Sequence, residues 1–94
     1  MIVVVTRHKA LIEYLVETGM VSPDVPVFEH AAEEVVKGKH VIGVLPIHLA
    51  ALCEKYTNIG LSVPADKRGQ ELSLDEVREF ATEPTTYRIE IEEA

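Results

Sequence analysis

Two runs of β-branched residues constrain the fold of this chain more than any other feature. Ile2–Val5 is apolar at every position, and most of the run from His40 to Leu45 is apolar as well. A strand that is apolar on both faces must be buried on both faces, as central strands of parallel sheets are. We therefore predict a parallel sheet with helices covering both faces.

The segments between these runs alternate between helix and strand patterns. One helix is predicted over residues 10–19, where apolar side chains recur at helical spacing and Gly19 closes the segment. A second helix is predicted to start with Pro46 as its first residue and to continue to Cys53. Residues 30–36 have a weaker helical pattern. Further strands are predicted over three segments: Val25–Phe28, Asn58–Val63 and Thr85–Ile91.

The last helix and the last strand have clear local signals. Ser73 is followed three residues later by Glu76, which completes a capping box, and Val77 and Phe80 form an apolar stripe. The final strand alternates strictly, with Tyr87, Ile89 and Ile91 on one face, as an edge strand does, and there it can run antiparallel. The order β-α-β-(α)-β-α-β-α-β indicates an α/β fold over residues 1–94: a single domain with a Rossmann-like open sheet of about five strands, mostly parallel, and helices on both faces.

The charge and cysteine content exclude several classes of partner and location. The net charge is −7, which argues against broad binding to DNA or other nucleic acids. Residues 71–94 carry eight acids and two bases, whereas residues 1–70 carry eight acids and seven bases, so a small anion could still bind the first part of the chain. The single Cys53 fits a reducing compartment, and Ile2–Val5 is too short to cross a membrane, so we expect a cytoplasmic protein without a membrane partner.

Several chemistries lack their sequence signatures. The chain has no Gly-x-Gly-x-x-Gly motif, no Gly-Lys-Ser/Thr motif, and no set of His, Cys and carboxylate residues at metal-ligand spacing. We therefore expect no bound cofactor and no metal. A chain of only 94 residues has a modest core, and pairing with a second copy is a common source of extra stability.

Two loops at the predicted carboxyl ends of strands carry unusual residues. Thr6-Arg7-His8-Lys9 follows the first strand, and Leu45-Pro46-Ile47-His48 follows the third. Open α/β sheets bind ligands at this edge, helix starts attract phosphate, and the planar fork of Arg7 suits phosphate oxygens. The alternative interpretation is that Arg7 and Lys9 are solvated turn residues.

The histidines and a second basic cluster also have two interpretations each. His8 and His48 are either packing residues or groups that contact phosphate and protonate a leaving oxygen. His30, at a strand exit, and His40, at a strand entrance on the opposite end of the sheet, are weaker candidates. Lys67-Arg68-Gly69 is either a solvated loop or a clamp over a phosphate, in which Gly69 permits close backbone approach.

Three parts of the chain together resemble a known family. They are Val4-Val5-Thr6-Arg7-His8, the stretch from Val41 to Ala50, and Leu61-Ser62-Val63-Pro64 followed by Arg68–Ser73. They are similar to the small CRISPR-associated accessory proteins numbered sixteenth in the Csx series. Gly-x-Leu-Pro-x-His-Leu-Ala, which begins at Gly43, is the most specific of these motifs.

The resemblance implies a CARF-like domain that works beside type III CRISPR systems. Proteins of this group are expected to be ring nucleases, which cut cyclic tetra-adenylate between the two subunits of a homodimer and so switch off the response. Cleavage would use the 2′-hydroxyl of the RNA itself, without a metal. Arg7 and the helix starts would hold the phosphate, His48 or His8 would protonate the leaving oxygen, and Lys67 and Arg68 would close over the ring. The expected substrate-binding set also includes Thr6, Lys9, Leu45, Pro46, Ile47 and Gly69.

Two other functions remain open from the sequence. The same dimer could hold the cyclic nucleotide without cutting it, as a sensor or buffer. The chain could also be a structural subunit of a CRISPR complex with no ligand.

Overall fold

The computed structural model describes residues 1–93, along which strands and helices alternate. The strands are β1 (Ile2–Val5), β2 (Val27–Phe28), β3 (His40–Gly43), β4 (Lys55–Asn58) and β5 (Thr85–Tyr87). The α-helices are α1 (Lys9–Glu17), α2 (Glu33–Val36), α3 (Ile47–Ala50) and α4 (Leu74–Phe80), and Ala65–Lys67 forms a short 3-10 helix. No helix within residues 1–93 is both long and apolar enough to cross a bilayer.

The strands form one open sheet in the order β2-β1-β3-β4-β5. The first four strands are parallel, and β5 pairs with β4 in the antiparallel direction. The predicted α/β fold with a mostly parallel open sheet is therefore confirmed. From β1 the chain first adds β2 on one side and then β3 on the other, so the strand order reverses between β1 and β3, where ligands bind in sheets of this kind.

Buried side chains on the two faces of the sheet form two apolar clusters. Val4 and Ile42 on one face contact α1 and α4 through Leu15 and Val77, all of which are almost completely buried. The opposite face carries a second cluster with α2 and α3, whose buried members include Val3, Val5, Val36, Val41 and Ala50. Both faces of the two central strands are covered, as the continuous β-branched runs predict.

Strand β3 ends at Gly43, two residues before the predicted end at Leu45. Gly43 has φ +150°, and a Cβ at this position would lie 2.2 Å from the carbonyl oxygen of Val5 in β1. The backbone leaves the ladder here, and the N–H of Leu45 donates to the hydroxyl of Tyr56 at 2.9 Å.

The predicted position of the fourth strand, Asn58–Val63, is wrong. The strand occupies Lys55–Asn58, and the apolar residues that follow lie outside its ladder: Ile59 is buried in the core, and Leu61 forms an isolated antiparallel bridge with Ala81. Thr57 is buried in β4 because its hydroxyl is hydrogen-bonded to His40 Nε2 at 2.7 Å and to Thr86 Oγ1 at 2.8 Å. These cross-strand partners compensate a buried polar group that hydropathy alone places in a loop.

Other predicted bounds are too long. The second strand starts at Val27 instead of Val25, and the helix after Pro46 is a single turn that ends at Ala50. Pro46 is the N-cap and not the first helical residue, and Cys53 lies half-buried in a bend after the helix. A single turn gains little from its own hydrogen bonds, so tertiary packing sets its length.

The last strand is also shorter than predicted and lacks the predicted apolar face. Its register pairs Tyr87 with Tyr56. Because β4 begins only one residue before Tyr56, few residues of β4 remain with which the chain after Tyr87 could pair. Tyr87 and Ile91 are exposed, and only Ile89 packs against the core. The capping box of α4 is confirmed: Ser73 Oγ accepts from the N–H of Glu76, whose carboxylate accepts from the N–H of Ser73.

Candidate functional site

A cleft of about 540 Å³ opens where β1, β2 and β3 end. Val5 and Thr6 at the end of β1, Glu29 after β2 and Val44 after β3 lie in its wall. The volume is within the range of about 300–1,000 Å³ that is usual for small-molecule sites. The cleft therefore lies at the point of strand reversal that the topology predicts as a ligand site.

The cleft combines an apolar floor with a polar rim. Its apolar residues are Val5, Leu11, Ala31, Val44, Ile59, Leu61, Val63 and Leu72. Its polar residues are Thr6, Arg7, His8, Glu29, His30, Lys67, Arg68 and Gln70, and Gly69 lies between the last two. Such a surface can accept an anionic ligand that also carries flat, apolar parts.

Thr6 fixes the start of the loop between β1 and α1. Its N–H donates to the carbonyl of Phe28 at 3.0 Å, which extends the pairing of β1 with β2, and its hydroxyl accepts from the N–H of His8 at 3.1 Å. No side chain caps α1, which starts after His8, and the N–H of Leu11 in its first turn donates to the carbonyl of His8 at 3.1 Å.

Arg7 and Arg68 are the cations of the cleft without a carboxylate partner. Within residues 1–93, neither guanidinium lies within ion-pair distance of a carboxylate. Arg7 Nη2 lies 3.3 Å from His30 Nδ1, and Arg68 Nε donates to the carbonyl of Val63 at 3.2 Å. Both side chains are exposed, and no carboxylate within residues 1–93 offsets their charge through an ion pair.

Lys67 lines the cleft but also has a structural role. Its ammonium forms an ion pair with Glu76 Oε2 at 3.0 Å, and this hydrogen bond raises the pKa of the lysine. The ammonium also lies 5.7 Å from the centre of the Phe80 ring. Lys67 therefore ties the 3-10 segment to α4, and Glu76 compensates part of its charge.

Five of the residues predicted for the site do not line the cleft. Lys9 is exposed on the first turn of α1, Leu45 is buried in the core, and Pro46, Ile47 and His48 are exposed at the start of α3. The structure thus brings together Thr6, Arg7, His8, Lys67, Arg68 and Gly69, and it leaves the loop after β3 outside, except for Val44.

A tyrosine hydroxyl holds this loop after β3 in place. Tyr56 accepts from the N–H of Leu45 and donates to Asn58 Oδ1 at 2.7 Å. Burial raises the pKa of the Tyr56 hydroxyl, so it stays protonated at neutral pH and can make both bonds. The hydrogen bond from the backbone N–H of Leu45 to Tyr56 therefore helps to hold Leu45 in its buried position.

The loop after β2 contributes two residues to the cleft. Glu29 and His30 both line the cleft, although Glu29 was not among the predicted site residues and His30 was a weak candidate. The signal was the position of His30 at a strand exit, because parallel neighbours end at the same edge. Leu61, Gln70 and Leu72 also line the cleft. The folding of the segment after β4 brings them there, and no local sequence pattern indicates it. Within residues 1–93, no three His, Cys, Asp or Glu side chains cluster closely enough to share a metal ion.

Comparison with known proteins identifies a family. No curated protein and no solved structure matches the chain. One family model, Cas_VVA1548, matches residues 3–90, which include every strand and helix apart from the first residue of β1. Its description is "Putative CRISPR-associated protein". The chain therefore belongs to this CRISPR-associated Cas_VVA1548 family.

Proposed function

We propose that this protein is a ring nuclease of type III CRISPR systems that binds cyclic tetra-adenylate and cleaves it without a metal. The observation that carries the proposal is the convergence of Arg7, His8 and Arg68 on one cleft at the strand-reversal point. Family membership supports a role in CRISPR defence. The cleft chemistry supports an anionic ligand that carries bases.

Charge favours binding of phosphate in this cleft. The guanidinium groups of Arg7 and Arg68 have no carboxylate partner among the described residues, and each can donate two bonds to phosphate oxygens. No side chain caps the start of α1, whose positive dipole end lies two residues after Arg7 in the chain. Eight of the sixteen acidic residues lie in residues 71–94, and Leu72 is the one residue of that segment that lines the cleft.

The remaining surface suits a nucleoside. Val44 is exposed and Leu61 and Val63 are half-buried, so these cleft residues offer apolar area on which an adenine ring can lie. Glu29 or Gln70 can pair with its exocyclic amine or a ribose hydroxyl. One open cleft covers only part of a cyclic tetranucleotide. We propose a homodimer in which two copies of the cleft share the ring, since a ring with two-fold symmetry suits a two-fold pair of subunits.

The proposed chemistry is in-line transfer at phosphorus. The 2′-oxygen forms a bond to phosphorus and gives up its proton to a water molecule, the bond between phosphorus and the 5′-oxygen breaks, and an imidazolium protonates the leaving oxygen. Arg7 stabilises the charge that develops on the phosphate. His8 is the proposed acid because it lies in the cleft, whereas His48 lies outside it and would have to act from a partner subunit.

The direct test is incubation of the protein with cyclic tetra-adenylate in excess EDTA, with separation of products by chromatography and mass. Linear products with 2′,3′-cyclic phosphate and 5′-hydroxyl ends are expected. Arg7→Ala should lower the rate by about 100-fold or more, as loss of a charge-stabilising group does. The matched control is Arg88→Ala, because Arg88 is exposed after β5 and does not line the cleft; it should cleave at the normal rate.

The second candidate function is a sensor or buffer that binds the ring without cutting it. The open, solvent-exposed cleft favours this alternative, because enzymes commonly enclose their substrate. An intact ring together with measurable binding would establish this function in place of catalysis. An intact ring without binding would contradict both proposals and favour a structural subunit.

A further inference from the structure

We propose that His30 is the positioning residue of Arg7 and also presents a second hydrogen-bond donor to the ligand. The inference concerns the site of the proposed function and, for the ligand, rests on that function. It adds a role for a residue from the loop after β2, to which neither the sequence motifs nor the proposed chemistry assign one.

The pairing of β1 with β2 brings the two residues together. The register places Val5 opposite Phe28, and the N–H of Thr6 continues the ladder to the Phe28 carbonyl at 3.0 Å. The chain then leaves both strands at the same edge, so Arg7 and His30 emerge side by side into the cleft. Their side chains meet with Arg7 Nη2 3.3 Å from His30 Nδ1.

The direction of this hydrogen bond determines the tautomer of His30. A guanidinium has only donors, so Nδ1 must be the acceptor and cannot carry a proton. The proton of the neutral ring is then on Nε2. No other hydrogen bond of His30 occurs within residues 1–93, so the Nε2–H group remains available for a phosphate oxygen.

A neutral partner orients Arg7 without cancelling its charge. Arg78 shows the opposite arrangement: it is held by Glu17 and by Asp75, and its charge serves the contact between α1 and α4. Glu29 also lines the cleft but forms no ion pair with Arg7. A neutral acceptor orients an arginine without offsetting the charge that attracts an anion, and His30 is such an acceptor.

The first experiment measures the tautomer in the ligand-free protein. Nitrogen-15 shifts of the histidine rings, recorded above the pH at which they titrate, should show His30 protonated at Nε2 and bare at Nδ1. Arg7→Ala should remove this bias, and Arg88→Ala should leave it unchanged. A His30 ring that is protonated at Nδ1, or that does not respond to Arg7→Ala, overturns the pairing whatever the protein binds.

The second experiment measures the affinity for cyclic tetra-adenylate. His30→Ala should weaken binding about tenfold, the effect of one hydrogen bond to a charged group. His30→Asn should restore only part of the loss, because the Asn oxygen takes the place of Nδ1 as the acceptor for Arg7 but nothing takes the place of the Nε2–H donor. His30→Gln should not restore the contact with Arg7, because its longer side chain does not place the oxygen at Nδ1. In an Arg7→Ala background, His30→Ala should reduce the affinity by a clearly smaller factor than in the wild type, because the two residues act as a pair.

The outcomes separate the two proposals. If the wild type binds the ring and His30→Ala binds equally well, the role of His30 is contradicted while the proposed function stands. If the wild type does not bind the ring, the proposed function and the ligand role of His30 both fail, and the tautomer measurement still decides whether His30 positions Arg7. Weaker binding in His30→Ala with partial recovery in His30→Asn supports the inference, since a purely steric role would not distinguish Asn from Gln in this way, whereas full recovery in His30→Asn would contradict the Nε2–H donor.

Discussion

Gly43 shows how one residue sets the distance between the two central strands. With φ +150°, its backbone lies in a region that only glycine adopts without strain. The Val5 carbonyl oxygen occupies the place where a Cβ would be, at 2.2 Å. A side chain here would push β1 and β3 apart at the point where the cleft begins.

We expect Gly43→Ala to lower the free energy of unfolding by about 3 kcal/mol or more, because backbone strain and a backbone clash act together. Urea denaturation measures the change. Gly60→Ala is the matched control: a Cβ at Gly60 meets only the Thr82 hydroxyl, at 3.7 Å, so the variant should be close to wild type. Equal stabilities of the two variants would contradict this account of Gly43.

His40 is a residue whose charge state is linked to stability. Its pKa is lowered mainly by burial and further by the ammonium of Lys55, its neighbour in the register of β3 and β4. Glu54 acts in the opposite direction, and the amino terminus of the chain adds to the lowering. The folded protein therefore favours the neutral ring that is hydrogen-bonded to Thr57.

The sign of the pH dependence follows from this shift. The folded state binds fewer protons at His40 than the unfolded state, so stability is complete above the unfolded pKa of about 6.5 and falls as the pH decreases through the lower folded pKa. We expect the free energy of unfolding of the wild type to decrease below about pH 6.5. His40→Gln should decrease less over the same range, and identical slopes would show that other groups cause the loss.

At the scale of elements, the capping box joins α4 to the loop that lines the cleft. Ser73 and Glu76 satisfy each other's backbone N–H groups at the start of the helix, and the same Glu76 carboxylate binds Lys67. The backbone bond to Ser73 and the bond to Lys67 both lower the pKa of Glu76, so it stays charged at neutral pH. One carboxylate thus caps the helix and anchors the 3-10 segment.

Ser73→Ala should lower the free energy of unfolding by about 1 kcal/mol, the usual effect of losing an N-cap side chain. Thermal or urea denaturation detects this change. Ser62→Ala provides the comparison, since the exposed Ser62 side chain makes no hydrogen bond within residues 1–93. A capping role requires that only the first of these variants loses stability.

At the scale of the whole molecule, the sheet order decides which loops form the cleft. β1 lies between β2 and β3, so the loops after β1 and β2 meet, and the segment after β4 reaches the same edge from the other side. A ligand in this cleft would contact segments that are far apart in sequence. Its binding should therefore stabilise the whole fold.

Cyclic tetra-adenylate at 100 times its Kd should stabilise the folded state by about 2.7 kcal/mol through mass action. A thermal shift measured with His8→Ala isolates binding from cleavage if His8 acts as the acid. The shift should shrink as salt is added, because it depends on phosphate contacts. If the ligand raises the melting temperature of Arg7→Ala as much as that of the protein with Arg7 intact, the ligand binds elsewhere on the protein.

Local pattern in the sequence was sufficient for several elements. The β-branched runs predicted β1 and β3 as central strands because only a doubly covered strand can bury apolar side chains on both faces. Ser73 and Glu76 predicted the start of α4 because a capping box involves residues only three apart. The position of Arg7 and His8 after a central strand predicted that they lie at the carboxyl-terminal edge of the sheet, where open sheets commonly bind ligands.

Contacts between distant segments decided the rest, and only the tertiary structure contains them. Thr57 is a buried strand residue because His40 and Thr86 satisfy its hydroxyl, and no local pattern reveals such partners. His30 lies beside Arg7 because β2 pairs with β1, whereas His48 lies on α3, outside the cleft. The sequence by itself determined which segments become central strands and capped helices, since these depend on neighbouring residues. The pairing of strands determined which side chains share the cleft, since that depends on residues far apart in the chain.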